Sequence, residues 1–317
     1  MAAQDLAIEV VTLGESMVAM VPERRGPLAQ AVRFARHVAG AESNFAIGLT
    51  RLGHRVRWLG RVGQDAFGDV ILQTLKSEGV DISWAVRDPD APTGLMIKER
   101  ARVGDSRALY YRRGSAAACM DAGGLCPEQF AGAAWLHLTG ITPALGPGPA
   151  RAVARALELA RATGLAMSFD PNYRPALWSW SAAAHALRPL ADQADVLVFS
   201  PEEGALLYGA GGPDLLARRT FAAGRARLVA IKDGARGASL WTRDGDQLAV
   251  PAEPVRVRDT TGAGDAFTSG LVAGLLEGLP LDRAGRLAAV CGALACTVAG
   301  DWEGAPTRTG LAAFGIY

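Results

Sequence analysis

The chain has 317 residues, of which 50% are hydrophobic and 21% charged, and its formal net charge is +1 at pH 7. This composition is typical of a soluble protein built from one large or two average domains. A charge so close to zero gives no electrostatic reason to expect a nucleic acid or a membrane surface as a partner.

The first residues and the cysteines indicate a cytoplasmic protein. The stretch MAAQDLAIEVVTLGES lacks the basic start and the continuous apolar core of a signal peptide. The longest nearly uncharged apolar stretch, residues 287–300, is too short to span a bilayer and predicts a buried helix. The four cysteines form no CxxC pair and the four histidines form no HxxxH pattern, which disfavours a disulfide framework or a zinc site. We therefore expect a cytoplasmic enzyme or binding protein.

The N-terminal third predicts two helices, a strand between them and two extended polar segments. ESNFAIGLTRLG predicts a helix that ends at Gly53, RVRWLGRVG a strand, and DVILQTLKSEG a helix that ends at Gly79. Residues 93–114 predict a hairpin around a polar Val-Gly-Asp-Ser turn, and an earlier segment is similarly extended. We interpret residues 12–38 and 93–114, with approximate bounds, as a small β-sheet lid over a larger body.

The rest of the chain alternates between apolar strands and helices. Strands are predicted at residues 133–140, 165–170, 195–200 and 227–234, with helical stretches between them. Strands about 30 residues apart with helices between them are typical of βαβ units and a parallel sheet. We therefore predict a single α/β domain over residues 1–317, with a mostly parallel central sheet flanked by helices.

The stretch RDTTGAGDAFTSG, residues 258–270, places a glycine cluster directly before an apolar helix. A Walker loop would need a lysine after Gly264, and a dinucleotide fingerprint would need a third glycine where Phe267 stands. The free N–H groups at a helix start bind anions such as phosphate, and Asp265 would stand beside such an anion as a proton acceptor. The alternative is that Asp265 only complements the helix dipole and that the glycines form a turn.

Two motifs resemble those of the ribokinase-like (PfkB) sugar kinases: DTTGAGDAF at residues 259–267 and AGAESNFAIGLTRLGHRVRWLGRVGQDAFGD at residues 39–69. The resemblance covers essentially the whole chain and implies a ribokinase-like fold, with a small β-sheet lid on an α/β body. It also implies ATP-dependent transfer of a phosphoryl group to a sugar hydroxyl, with Asp265 as general base. The anion hole for that group would be formed by the backbone N–H groups of Gly262, Ala263 and Gly264.

The same resemblance implies where the nucleotide and ions bind. The family often orders Mg²⁺ through water with an N-x-x-E motif, which here reads Ser200-Pro-Glu-Glu203, so Glu203 is retained and a serine replaces the asparagine. Asp259 lies where a monovalent cation such as K⁺ is common in the family. For the segment IKDGARGA, residues 231–238, the alternative is an ordinary connection from strand to turn. Besides the anion hole, the implied ATP-binding residues are Asn172, Lys232, Gly234 and Gly237.

Three further segments resemble the 2-keto-3-deoxygluconate kinases within that family: ALYYRRGSAA, FDPNYRPALW and GDWEGAPTR. They imply a sugar acid as substrate, phosphorylated on its terminal 6-hydroxyl. An arginine fork pairs bidentately with a carboxylate, which makes Arg112 and Arg174 the candidates for binding the acid group. Tyr110 shares a strand face with Arg112, and the resemblance adds Gly40, Asn44, Asp265 and Asp301 to the substrate site.

Several alternatives stay open at this point. Met96 stands where these kinases often place a tyrosine over the substrate, and Ile141 belongs either to the pocket or to the core. A fructokinase- or ribokinase-like enzyme for a neutral sugar would give Arg112 and Arg174 no role. A sensor of nucleotides or sugars on the same fold would not need to keep Asp265. The strand edges of the lid favour a homo-oligomer, as a dimer or a larger assembly.

Overall fold

The computed structural model describes residues 7–99 and 108–316. The strands in these ranges are β1 (Val10–Leu13), β2 (Met17–Pro22), β3 (Phe34–Ala39), β4 (Val56–Leu59), β5 (Arg61–Gly63), β6 (Val86–Asp88), β7 (Leu95–Lys98), β8 (Ala108–Tyr111), β9 (Trp135–Thr139), β10 (Ala166–Asp170), β11 (Val196–Phe199), β12 (Leu228–Lys232), β13 (Ala238–Thr242) and β14 (Gln247–Val250). The α-helices are α1 (Ala41–Arg51), α2 (Ala66–Ser77), α3 (Pro147–Ala162), α4 (Trp180–Ala191), α5 (Pro201–Tyr208), α6 (Pro213–Ala223), α7 (Ala263–Leu276), α8 (Leu281–Ala295) and α9 (Arg308–Leu311).

Eight strands form the central sheet, in the order β14-β13-β12-β11-β10-β9-β1-β4. Neighbours from β12 to β4 pair in parallel, and β13 and β14 extend one edge as antiparallel strands. This arrangement confirms the predicted, mostly parallel α/β sheet. The strand order reverses at β1, which lies between β4 and β9, and ligands of open α/β sheets bind beyond the carboxyl ends of the strands at such a point.

Helices cover both faces of the central sheet because its strands are apolar on both sides. Every residue of β9 and of β11 is buried, as expected for strands inside a parallel sheet. One hydrophobic cluster includes side chains of α3, α4, α5 and α6, and a second includes side chains of α1, α2, α7 and α8. None of the helices in the described ranges is long and apolar enough to cross a membrane.

A second, four-stranded sheet has the order β3-β2-β7-β8. Its strands β7 and β8 pair in antiparallel register, with Met96 opposite Tyr110, as the predicted hairpin requires. The predicted turn of that hairpin falls on residues 100–107, which lie outside the described residues. The predicted lid boundary at residue 12 includes the end of β1, which belongs to the central sheet, so the first strand of the small sheet begins at Met17.

The segment RVRWLGRVG is not one strand, as the sequence predicted, but two. Its first part, β4, lies in the central sheet, and its second part, β5, pairs with β6 in a separate two-stranded sheet. The break falls at Gly60, where a Cβ would lie 2.0 Å from the ring of Trp58. The fully buried indole ring of Trp58 therefore occupies the space that a side chain at residue 60 would need.

The two helices predicted near the N-terminus are α1 and α2. Each ends two residues before the predicted terminal glycine, because Gly53 and Gly79 adopt φ values of 96° and 83° that a helix cannot contain. Glycine reaches this left-handed region without steric penalty, which makes it the common residue just past a helix end.

Helix α1 packs closely against α7 through a glycine. A Cβ at Gly48 would lie 2.5 Å from the Oγ atom of Ser269, which is itself buried. The hydroxyl group of Ser269 donates to the carbonyl oxygens of Asp265 and Ala266, each at 3.0 Å. The close approach of the two helices therefore fixes the first turn of α7 relative to α1.

We predict that Gly48→Leu lowers the free energy of unfolding by roughly 1–3 kcal/mol, because the added side chain overpacks the contact between α1 and α7. Urea unfolding measures this change. Gly123→Ala is the control, since Gly123 is exposed and a Cβ there meets no atom within 4 Å. Equal stability of Gly48→Leu and the unmodified protein would contradict the close packing of the two helices.

Candidate active site

A cavity of about 320 Å³ lies between the small sheet and the carboxyl edge of the central sheet. It brings together residues from distant parts of the sequence, from Glu15 to Asp301, as expected at the point where the strand order reverses. The residues singled out from the sequence that line it are Gly40, Asn44, Met96, Tyr110, Arg112, Ile141, Arg174, Gly262, Asp265 and Asp301.

Gly262 starts helix α7 in the left-handed region, with φ of 75°. A Cβ at this position would lie 1.7 Å from the carbonyl oxygen of Asp301, so the turn requires glycine. The N–H group of Ala263 donates to the carbonyl of Thr260 at 3.3 Å. Among the described residues, the N–H groups of Gly262 and Gly264 have no backbone acceptor, so they can bind an anion.

Two side-chain amides orient the carboxylate of Asp265. The Nδ2 atom of Asn44 donates to Oδ2 at 2.8 Å, and the Nδ2 atom of Asn172 lies 3.4 Å from Oδ1. Asn172 has φ of 41°, unusual for a residue other than glycine, and its N–H group donates to Asp170 at 3.0 Å. The Oδ1 atom of Asn44 is buried and accepts no hydrogen bond within the described part of the chain. It can therefore accept from a ligand hydroxyl beside Asp265.

The surroundings of Asp265 make its carboxyl group a much weaker acid than an ordinary aspartic acid. The loss of water around the carboxylate raises the pKa of Asp265 to about 7, although the hydrogen bond from Asn44 acts in the opposite direction. The negative charge of Asp170 adds to the rise, whereas the charges of Arg174 and Lys232 lower the pKa. A carboxylate that titrates near neutrality can accept a proton and release it again under physiological conditions.

A buried ion pair lies behind the start of α7. The Nζ atom of Lys232 contacts Oδ2 of Asp170 at 2.5 Å, and a Cβ at Gly264 would lie 3.2 Å from that Nζ atom. Burial alone would lower the pKa of Lys232, but the adjacent carboxylate of Asp170 raises it above the ordinary value. Asp170 was not among the residues singled out from the sequence, although it ends a predicted strand, at the edge where ligands bind.

Arg112 and Arg174 both line the cavity, but their environments differ. Arg112 is buried, forms an ion pair with the buried carboxylate of Glu15 and lies 5.6 Å from the ring centre of Tyr110. Arg174 is exposed to the cavity and has no ion-pair partner among residues 7–99 and 108–316. Glu15 was not among the residues singled out from the sequence; it follows the buried strand β1 and could have been found as a carboxylate close to a strand end.

Asp301 lies at the same wall of the cavity as Gly262 and forms an ion pair with Lys98 of β7. Both side chains are largely buried, with 8% of the Asp301 side chain and 17% of the Lys98 side chain exposed. Lys98 was also not among the residues singled out from the sequence. Because side chains alternate along a strand, Lys98 shares a face with Met96, and that spacing could have indicated it.

The residues implied for binding ions, Glu203 and Asp259, do not line this cavity. Glu203 accepts the N–H groups of Tyr173 at 2.9 Å and Ser200 at 2.8 Å, and the hydroxyl of Ser200 accepts from the N–H group of Glu203 at 3.2 Å. This is a capping box at the start of α5. The Oδ1 atom of Asp259 accepts both the N–H and hydroxyl groups of Thr261. Within the described ranges, no three acidic, histidine or cysteine side chains cluster as metal ligands.

Gly234 and Gly237 form the turn between β12 and β13, with φ values of 54° and 93°. A Cβ at Gly237 would lie 2.1 Å from the carbonyl oxygen of Val250, whereas a Cβ at Gly234 would meet no atom within 4 Å. Packing against β14 therefore accounts for Gly237 without a ligand. The turn follows directly after Lys232, whose Nζ atom approaches Gly264 at the start of α7.

A profile of pfkB family carbohydrate kinases matches residues 7–308. The chain belongs to this family of carbohydrate kinases. The 2-dehydro-3-deoxygluconokinase of Bacillus subtilis (strain 168) is 40% identical over 311 residues, which cover 98% of this chain and 96% of that protein. The fructokinase of Klebsiella pneumoniae is 34% identical over 96% of this chain and 98% of its own length.

A solved structure supports the same conclusion for the fold. The structure of a putative ribokinase II from E. coli in complex with ATP and Mg²⁺ has a TM-score of 0.90 and 28% sequence identity. The match covers 97% of this chain and 98% of that chain. The ribokinase-like fold and the carbohydrate kinase activity predicted from the sequence are thus confirmed.

The raised pKa of Asp265 predicts that this carbohydrate kinase loses activity in mild acid. With Asp265 as the general base that the family resemblance implies, protonation of its carboxyl removes the proton acceptor, so kcat/KM for the sugar should fall about tenfold per pH unit below about pH 7. Because Asn44 lowers the pKa of Asp265, Asn44→Ala should shift this acid limb to higher pH. Steady-state rates measured from about pH 5 to about pH 9 test both statements. An unmodified enzyme with constant kcat/KM down to pH values near 5 would contradict the assignment of Asp265.

Proposed function

We propose that the protein transfers the γ-phosphoryl group of ATP to the 6-hydroxyl of 2-keto-3-deoxygluconate, also called 2-dehydro-3-deoxygluconate. The observation that carries this proposal is the presence of two guanidinium groups, those of Arg112 and Arg174, in the cavity that also holds Asp265. A linear sugar acid has a carboxylate at one end and a primary hydroxyl at the other. The cavity offers cations to the first group and a proton acceptor to the second.

Arg174 has the main role in binding the acid group. Its charge has no ion-pair partner among the described residues, so a substrate carboxylate can pair with it without displacing another anion. Arg112 is held by Glu15, and its Nε atom is buried without an acceptor within the described chain. That N–H group can donate to the substrate carboxylate while the rest of the guanidinium stays paired. Tyr110, whose ring lies against Arg112, is placed to contact the same end.

Transfer requires a base and a site for the phosphoryl group. Asp265 accepts the proton of the 6-hydroxyl group while the oxygen of that hydroxyl forms a bond to the γ-phosphorus. The bond between this phosphorus and the bridging oxygen breaks, and ADP leaves with that oxygen. The N–H groups of Gly262 and Gly264 bind the charge that develops on the phosphoryl oxygens, with Lys232 close behind them. Ala263 joins them once its N–H group leaves the weak bond to Thr260. Asn44 accepts from a substrate hydroxyl through its free Oδ1 atom.

The nucleotide occupies the side of α7 that faces the turn between β12 and β13, near Gly234, Gly237 and Asn172. When bound, Mg²⁺ neutralises charge on the phosphates. Each carboxylate oxygen of Glu203 accepts one N–H group and keeps a lone pair for an ordered water, so Glu203 fits an indirect contact with the ion. Asp259 is the candidate for contact with a monovalent cation such as K⁺.

The small sheet also suggests how the protein associates. Its edge strand β8 exposes Leu109 and Tyr111, at 47% and 61%, and an uncovered apolar strand edge favours pairing with a second copy. We therefore propose a homo-oligomer in a reducing cytoplasm, where its four cysteines stay free. Analytical ultracentrifugation measures the assembly state.

A fructokinase-like activity is the second candidate. The observation that favours it is the ion pair of Arg112 with Glu15. Because Glu15 already neutralises Arg112, Arg174 is the one arginine of the cavity, among the described residues, whose charge is left for an acid group. Met96, in place of a residue with a hydroxyl group, would also loosen the selection of a particular sugar.

The two candidates predict different substrate preferences. ADP release is measured with 2-keto-3-deoxygluconate, its galactose-configured epimer, fructose, ribose and gluconate under identical conditions. We expect the highest kcat/KM with one of the two keto acids. As a control, Asp265→Asn should lose about 10²–10⁴-fold in kcat while its affinity for ATP is unchanged. A higher kcat/KM with fructose than with either keto acid would reject the proposed substrate.

We predict that Arg174→Ala raises KM for the keto acid by at least about tenfold and leaves KM for ATP and for fructose within about twofold. The reason is the loss of a charged hydrogen bond made only with the acid group. Arg218→Ala is the matched control, because Arg218 is an exposed arginine on α6. An equal rise in KM for the acid and for fructose would show that Arg174 does not bind the carboxylate.

A further inference from the structure

Lys98 and Asp301 form an ion pair that joins two different parts of the molecule across the cavity. Lys98 belongs to β7 of the small sheet, whereas Asp301 belongs to the segment after α8 in the body. Both line the cavity that holds Asp265. The contact uses Oδ1 of Asp301, so a ligand hydroxyl can donate to the other carboxylate oxygen.

The backbone around Asp301 is held rigidly in place. Its carbonyl oxygen packs against Gly262, and a Cβ atom at residue 262 would lie only 1.7 Å from that oxygen. The guanidinium of Arg51 donates to the carbonyl oxygens of Trp302, Glu303 and Ala305, at 3.4, 3.2 and 2.7 Å. Asp301 therefore keeps its position, and Lys98 is the part of the pair that depends on where the small sheet lies.

The ionisation of Asp301 depends on the positive charge of Lys98. Burial raises the pKa of Asp301, Lys98 opposes that rise, and the carboxylates of Glu303 and Asp259 add to it. His37, on β3 of the small sheet, lies 2.6 Å from Glu303 and compensates that carboxylate. Among the described residues, Lys98 is thus the cation that contacts Asp301 itself.

We propose that Lys98 is a specificity-determining residue that keeps Asp301 as a charged acceptor for the hydroxyl groups of the sugar. The inference rests on the proposed substrate site, in which Asp301 binds sugar hydroxyls. Because Lys98 belongs to β7, recognition of these hydroxyls is complete only when β7 covers the cavity. A carboxylate accepts two hydroxyl donors, whereas a protonated carboxyl offers a donor of its own and loses part of that acceptor capacity.

The test compares Lys98→Met and Lys98→Arg with the unmodified enzyme between about pH 6 and about pH 8.5. The quantity is the ratio of variant to wild-type KM for the sugar at each pH, because the titration of Asp265 is common to both enzymes. The charge of Lys98 also acts on His37 and Asp259, and an Asp301→Asn background separates their titration from that of Asp301. For Lys98→Met we expect a ratio of about ten at the acid end that falls toward one as the pH rises and Asp301 ionises. Lys98→Arg should keep a ratio near one, and KM for ATP should not change in either variant.

The same variants in an Asp301→Asn background separate this role from a structural one. Asparagine does not titrate, so Lys98→Met should there produce no pH-dependent change in KM. A ratio for Lys98→Met that is the same at every pH, whether raised or equal to one, would overturn the inference. A pH-dependent ratio that persists with Asp301→Asn would overturn it as well. If the wild-type enzyme prefers fructose, the proposed substrate fails, and the same ratios measured with fructose still decide the role of Lys98.

Discussion

The hydrogen bond from Asn44 to Asp265 is the contact on which the candidate site depends. It joins the first turns of α1 and α7, whose residues are 221 positions apart in the sequence. The two helices approach closely enough for this bond because Gly48 leaves room for Ser269. Apolar packing beneath the site therefore determines the orientation of the carboxylate above it, and the position of the proposed base depends on the core as much as on the glycine motif.

Ion pairs balance the charge of the cavity before any substrate enters. Three cations and three carboxylates line it: Lys98, Arg112, Arg174, Glu15, Asp265 and Asp301. Two of the cations are already matched with carboxylates of the protein. A buried charge without a partner is strongly unfavourable, so these pairs let the cavity keep many polar groups at small energetic penalty. The remaining cation and the remaining carboxylate, Arg174 and Asp265, are the two charged groups of the cavity that have no ion-pair partner among the described residues.

The sequence was sufficient to predict most parallel strands of the central sheet, the small sheet and most of the residues that line the cavity, but not the antiparallel strands β13 and β14. Strand alternation and the glycine motif involve residues that are close together in the sequence, so they can be recognised from the sequence alone. Glu15, Lys98 and Asp170 were missed because their importance comes from partners 62 to 203 positions away. The break within RVRWLGRVG was missed for a related reason, since the ring of Trp58 limits the space at Gly60 only in the folded chain.

The conformation of Gly262 has a consequence for reading related sequences. The carbonyl oxygen of Asp301 fills the position of a side chain there, whether or not a phosphate is bound. A descendant that had stopped phosphorylating anything would still need glycine at this turn in order to fold. Retention of the glycine is thus evidence of shared architecture alone, whereas Asp265, whose buried carboxylate loses its water, is the residue whose retention bears on the proposed catalysis.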